Sequence, residues 1–186
     1  MALPTKPHLF LTGRPGCGKT TVIRQVLASI NPHVPISGFF TSEIREKGAR
    51  VGFYVKTLAG KEGILAHVNL RSPHRVGRYG VDVARFEKIV LSDLATGDYF
   101  LYVIDEIGKM ECHSKRFCEA VRELLSQNIP VIGTIASQGG GFMAEVRNRK
   151  DITIWPVTPE NRTLLPRKIL EFITPYLTQG PSEKNT

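Results

Sequence analysis

A chain of 186 residues, 41% of them hydrophobic, is the size of one domain and long enough to bury about 70% of its unfolded surface without a metal or disulfide staple. Three cysteines, Cys17, Cys112 and Cys118, form no C-x-x-C pair, so free thiols in a reducing, cytoplasmic setting are expected. Residues 1–7 lack the apolar stretch of a signal peptide and no run approaches the roughly 20 apolar residues of a membrane span, so no membrane partner is expected.

The net charge of +8 suits a polyanionic ligand. The basic residues are scattered from Arg14 to Lys168 and do not interleave with aromatics, so nucleic acid stays open as a partner without being favoured. The expected state is a monomer.

From the N-terminus, His8–Thr12 is a short apolar run of the kind that makes a buried parallel strand. It leads into Gly13-Arg14-Pro15-Gly16-Cys17-Gly18-Lys19-Thr20, followed by Thr21, which fits the phosphate-loop pattern G-x-x-x-x-G-K-[ST]. Successive N–H groups of such a loop converge on the β-phosphate of a nucleotide, and the next helix aims its positive end at the same anion. Val22, Ile23, Val26, Leu27 and Ile30 recur at helical spacing until Asn31-Pro32.

Three β-rich runs at 38–41, 51–55 and 63–66, separated by Lys47-Gly48 and Ala59-Gly60, predict an antiparallel insert over about 36–68 added to an α/β core. Val83, Phe86, Val90 and Leu94 then predict a helix capped by Asp82. Residues 100–104 read as a central strand ending in Asp105-Glu106. Ser114 caps a helix from about Lys115, with Phe117, Val121, Leu124 and Leu125 on one face. A strand at 129–135, a short helix at 142–147 and a last strand at 152–157 follow, and Thr158-Pro159-Glu160-Asn161 reads as another helix start that could flank a base. This alternation predicts an α/β protein, a single P-loop domain over 1–177 on a mostly parallel, three-layered sheet, with a frayed tail at 178–186.

The chemistry implied is phosphoryl chemistry. Lys19 reaches the β- and γ-phosphates, while the Thr20 hydroxyl and the strand-end Asp105, the latter through water, hold Mg²⁺. Glu106 polarises an attacking water. Asp105-Glu106-Ile107-Gly108 also reads as D-x-x-G, which brings the Gly108 N–H to the γ-phosphate, and Lys109 adds charge toward the transferring group. Arg147, Arg149 and Lys150 are candidates for a cation acting on the transition state, against the plain reading of a solvated basic loop. Arg149 stands where the guanine-reading N-K-x-D needs lysine, so guanine specificity is unsupported. The same parts serve transfer to an acceptor hydroxyl, so a nucleotide or small-molecule kinase stays open, as does a nucleotide-gated binding module.

With these residues placed, the chain resembles the small cytosolic P-loop nucleoside triphosphatases typified by the cancer-related nucleoside triphosphatase and its thermophile relatives. The likeness covers nearly the whole length. Beyond the phosphate loop and Thr21 it rests on the segments at 38–45, 75–82, 103–111, 145–151 and 157–162. The resemblance implies slow, Mg²⁺-dependent hydrolysis of ATP, GTP and other nucleoside triphosphates to diphosphate and phosphate, with loose base preference. It also implies that residues 13–20 and the segment around 101–108 line the nucleotide. Arg14 departs from the usual proline or small residue, and Cys17 occupies a position that varies in kind; both leave the cradle intact.

Overall fold

The computed structural model describes residues 8–177, so the expectations for the first seven residues and for the tail at 178–186 lie outside the described residues. Nine strands form one continuous sheet in the order β5-β6-β4-β3-β2-β7-β8-β1-β9. Their ranges are β1 His8–Thr12, β2 Ile36–Glu46, β3 Ala49–Thr57, β4 Glu62–His67, β5 Arg75–Val76, β6 Tyr79–Val81, β7 Leu101–Ile107, β8 Val131–Ile135 and β9 Ile152–Pro156. The helices are α1 Lys19–Ala28, α2 Val83–Val90, α3 Lys115–Leu124, α4 Phe142–Arg147 and α5 Leu165–Leu177. The α/β class and the three layers are as expected.

Strand periodicity decides what each face buries. In β1, Leu9 and Leu11 point to a cluster with Val22, Ile23 and Val26 of α1 and Ile169 and Ile173 of α5, while Phe10 points to the opposite face. In β7, Leu101 and Val103 join the first cluster, and Tyr102 and Ile104 join the second with Phe117 and Val121 of α3. Both faces are therefore covered, and the central strands read as apolar runs for that reason. Phe39, Phe86 and Phe117 meet edge to face at 5.3–6.0 Å between centroids, which ties β2, α2 and α3 together.

Three boundaries differ from the sequence reading. The β-rich segment is not set apart from the core, because β2 pairs in parallel with β7, Phe40 opposite Asp105, before its second half turns into the hairpin with β3. Residues 37–40 are buried and pair centrally, whereas the distal half is mostly exposed. The antiparallel ladder also runs past 68 into β5 and β6, so parallel and antiparallel pairings are equal in number.

The strand before the acidic pair does not end there: β7 runs through Asp105 and Glu106 to Ile107, and its pairing with β8 shifts register across them. The helix expected at Thr158 begins only at Leu165. Asn161 accepts from the Thr158 N–H at 2.9 Å and donates to the Pro156 carbonyl at 2.9 Å, giving the loop local partners that compete with helix. Asp82 and Ser114 do cap α2 and α3, accepting from the N–H groups of Arg85 and Phe117. Among the described residues no helix is long and apolar enough to cross a membrane.

Candidate active site

The phosphate loop leaves β1 and runs into α1, whose first residue is Lys19. Gly18 stands at the N-cap with φ 104°, a left-handed conformation that only glycine adopts without strain, and no side chain caps the helix. The first-turn N–H groups, with no acidic side chain beside them, are thus free for an anion. At Gly13 the constraint is space as well as angle: a Cβ there would lie 2.9 Å from both Cys17 Sγ and the Val157 carbonyl. Lys19 Nζ donates to the carbonyls of Gly13 at 3.0 Å and Arg14 at 3.3 Å, which holds the ammonium over the loop.

Asp105 is the anchor opposite. Its carboxylate is 2% exposed and accepts from Thr20 Oγ1 at 2.7 Å on one oxygen and from Thr134 Oγ1 at 2.6 Å on the other. Burial raises the Asp105 pKa, and the hydrogen bonds from Thr134 and Thr20 and the charges of Lys19 and Arg24 oppose that rise. Burial also raises Glu106, opposed by Lys19 and reinforced by Asp105. Behind them Glu111, buried and facing Glu106, is pushed up to about 8, chiefly by desolvation. Its Oε2 would sit 2.9 Å from a Cβ on Gly108, so the turn after β7 wraps closely around this acid.

One cavity of about 830 Å³ is lined by Gly13, Pro15, Gly16, Gly18, Lys19, Thr20, Thr21, Asp105, Glu106, Gly108 and Lys109, bringing most of the sequence-derived candidates together. Two stand apart. Arg14 is exposed, and Cys17 packs against the apolar cluster under α1 instead of lining the cavity. The basic loop at 147–150 does not line it either. Arg147 donates to the Ala136 carbonyl at 2.8 Å and to that of Gly139, and Arg149 is paired with Asp151 and donates to the Leu125 carbonyl at 2.6 Å. Both guanidinium groups brace loops, and Lys150 is exposed.

The cavity also contains residues that sequence reasoning passed over. Thr134 was the one hydroxyl in an apolar strand, a signal that could have been read. Arg24, from α1, lies over the Phe40 ring at 4.4 Å and lines the cavity with no ion pair among the described residues. A further wall comes from the antiparallel half: Thr41, Ser42, Glu43, Arg50, Phe53 and Tyr79.

The donor set suits a hard divalent cation. Thr20 and Asp105 offer one hydroxyl and one carboxylate, as in sites that hold Mg²⁺ by one or two protein oxygens plus substrate phosphates. A phosphate loop, an acidic strand and a cation-lined cavity can bind a polyphosphate and bring a carboxylate to its end.

Known proteins share this sequence and fold. Residues 8–170 match the family model described as NTPase. The chain is 46% identical over 178 residues to the cancer-related nucleoside-triphosphatase of Homo sapiens, covering 86% of this chain and 93% of that one. It is 40% identical over 167 residues to the nucleoside-triphosphatase THEP1 of Thermotoga sp. (strain RQ2), covering 89% and 94%. Its fold matches the crystal structure of THEP1 from Aquifex aeolicus with a TM-score of 0.80 at 32% identity, over 89% of this chain and 98% of that one. The chain belongs to this NTPase family.

Proposed function

We propose that the chain is a Mg²⁺-dependent nucleoside-triphosphate phosphohydrolase, releasing phosphate slowly from ATP, GTP and other triphosphates, with loose base preference. The observation that carries this reading is the Thr20–Asp105–Thr134 bridge beside Lys19 and Glu106 in one cavity. The loop amides and Lys19 bind the polyphosphate. Thr20 and Asp105 would hold Mg²⁺, which when bound neutralises charge on the β- and γ-oxygens. Thr134 fixes the Asp105 carboxylate for that task. Glu106 accepts a hydrogen bond from the attacking water and orients it toward the γ-phosphorus. Lys109 and the Gly108 N–H add positive potential at the same end.

Three free cysteines support a cytoplasmic setting.

Phosphate release from ATP, GTP, CTP and UTP, with Mg²⁺ and with chelator, tests the reading. Turnover is expected with all four only when Mg²⁺ is present, and Lys19→Ala is expected to lower it by roughly 10²–10³-fold. Equal turnover in chelator, or in a folded Lys19→Ala protein, would contradict it.

A further inference from the structure

The cavity is larger than the reaction above uses. It runs from the loop after β1 to the side chains of β3 and β6. Asp105 on β7 is two strands from β1, and β3 is two strands farther in the same direction. At about 4.8 Å per strand the cavity therefore extends about 10 Å beyond the carboxylate that marks the β–γ end of the triphosphate. On the other side of the phosphate loop, Arg162 from the loop after β9 comes within 3.8 Å of where a Cβ on Gly18 would lie, and that side is left for the rest of the nucleotide.

The far wall has its own construction. Arg50 donates to Glu43 at 2.7 Å and to the Tyr79 hydroxyl at 3.1 Å, and its guanidinium lies over the rings of Phe53 at 5.1 Å and Tyr79 at 5.8 Å. Phe53 and Tyr79 meet edge to face at 5.2 Å. Glu43 neutralises Arg50, and Arg78 lies over the Tyr79 ring at 5.3 Å, so the planar groups the wall offers are the Arg50 guanidinium and the half-buried Phe53 ring, with Tyr79 behind them. Aromatic rings and a flat guanidinium are the surfaces on which a nucleobase stacks. Between this wall and Asp105, Thr41, on the same face of β2 as Glu43, lines the cavity with a hydroxyl that has no protein partner among the described residues.

From this we infer that the wall of Arg50, Phe53 and Tyr79 is a second subsite that takes a nucleoside, with a sugar hydroxyl facing the γ-phosphate, and that the chain transfers the γ-phosphoryl group to it. The inference rests on the triphosphate site described above. In the step, the acceptor oxygen forms a bond to the γ-phosphorus while the bond to the β–γ bridging oxygen breaks. That electron pair stays on the diphosphate, and the hydroxyl proton goes to the Glu106 carboxylate. Water in the acceptor's place gives hydrolysis.

The experiment incubates the full chain with γ-labelled ATP, Mg²⁺ and, one at a time, adenosine, guanosine, cytidine, uridine or thymidine, and resolves labelled phosphate from labelled nucleoside monophosphate. At least one nucleoside is expected to capture label. Phe53→Leu, which keeps bulk without the ring, and Arg50→Gln are each expected to lower the ratio of labelled monophosphate to free phosphate by about tenfold. Free phosphate alone with all five nucleosides would overturn the inference while leaving the hydrolase reading intact. So would a ratio that neither variant moves, or a raised KM for ATP in Phe53→Leu with no nucleoside product, which would assign the wall to the triphosphate's own base. Absence of both products in the wild type would overturn both readings.

Discussion

The two halves of the sheet meet the cavity in different ways. In the parallel half, β1, β7 and β8 bring their carboxyl ends to one edge, so Gly13, Asp105 and Thr134 converge although they are far apart in the chain. In the antiparallel half, residues reach the cavity sideways across the ladder, with Phe53 opposite Glu43. The parallel edge places backbone amides and the oxygens proposed to hold the metal and the attacking water, and the antiparallel ladder builds a side-chain wall. β2 belongs to both, since it pairs in parallel with β7 and then antiparallel with β3.

Changes on each side should separate these contributions. The largest effect is expected at the parallel edge, where Glu106→Gln should slow phosphate release by roughly 10²–10⁴-fold in a protein that melts like the wild type; a loss within twofold would remove Glu106 from the chemistry. Phe86→Ala, which empties the centre of the aromatic cluster linking the halves, should destabilise the fold by about 3–5 kcal/mol in urea unfolding. A loss below about 1 kcal/mol would show that the cluster is not what joins them.

His8, buried at the start of β1, has its pKa lowered to about 4 by desolvation, with Asp151 opposing and Arg149 reinforcing. The folded state therefore keeps it neutral, while the unfolded chain protonates it below about 6.5. Its contribution is fully present above that pH and is lost as pH falls toward 4, by about 3 kcal/mol in all. Unfolding free energies measured from pH 7 to pH 4 should show this slope, and His8→Gln should flatten it. Thr134→Val, which leaves one Asp105 oxygen buried without its donor, should destabilise by about 1–3 kcal/mol and slow turnover. Smallest of all, Arg122→Ala removes an exposed pair with Glu145 and should change stability by about 1 kcal/mol or less.

Much of the parallel edge was legible in the sequence, because its chemistry is local. The phosphate loop is one continuous octapeptide, and Asp105-Glu106 follows an unbroken apolar run. The wall was not legible, because no spacing in the chain says that Phe53 will lie opposite Glu43 or that Tyr79 will close on Arg50; cross-strand register decides both. The role of the cations at 147–150 was not legible for a related reason. Sequence shows a charge but not the carbonyls that engage it, and Arg147 and Arg149 are occupied by Ala136, Gly139 and Leu125. Arg24, which no motif singles out, lies over the Phe40 ring and lines the cavity.

Asp105, gripped by Thr20 and Thr134, is the proposed seat of the metal–triphosphate end. Calorimetric titration of a non-hydrolysable ATP analogue into wild-type and Asp105→Asn protein, with Mg²⁺ and with chelator, tests it most directly. Tight binding that needs Mg²⁺ in the wild type and loses that need in the variant is the predicted result. Equal affinity in Mg²⁺ and chelator for the wild type, or unchanged Mg²⁺ dependence in Asp105→Asn, would contradict it.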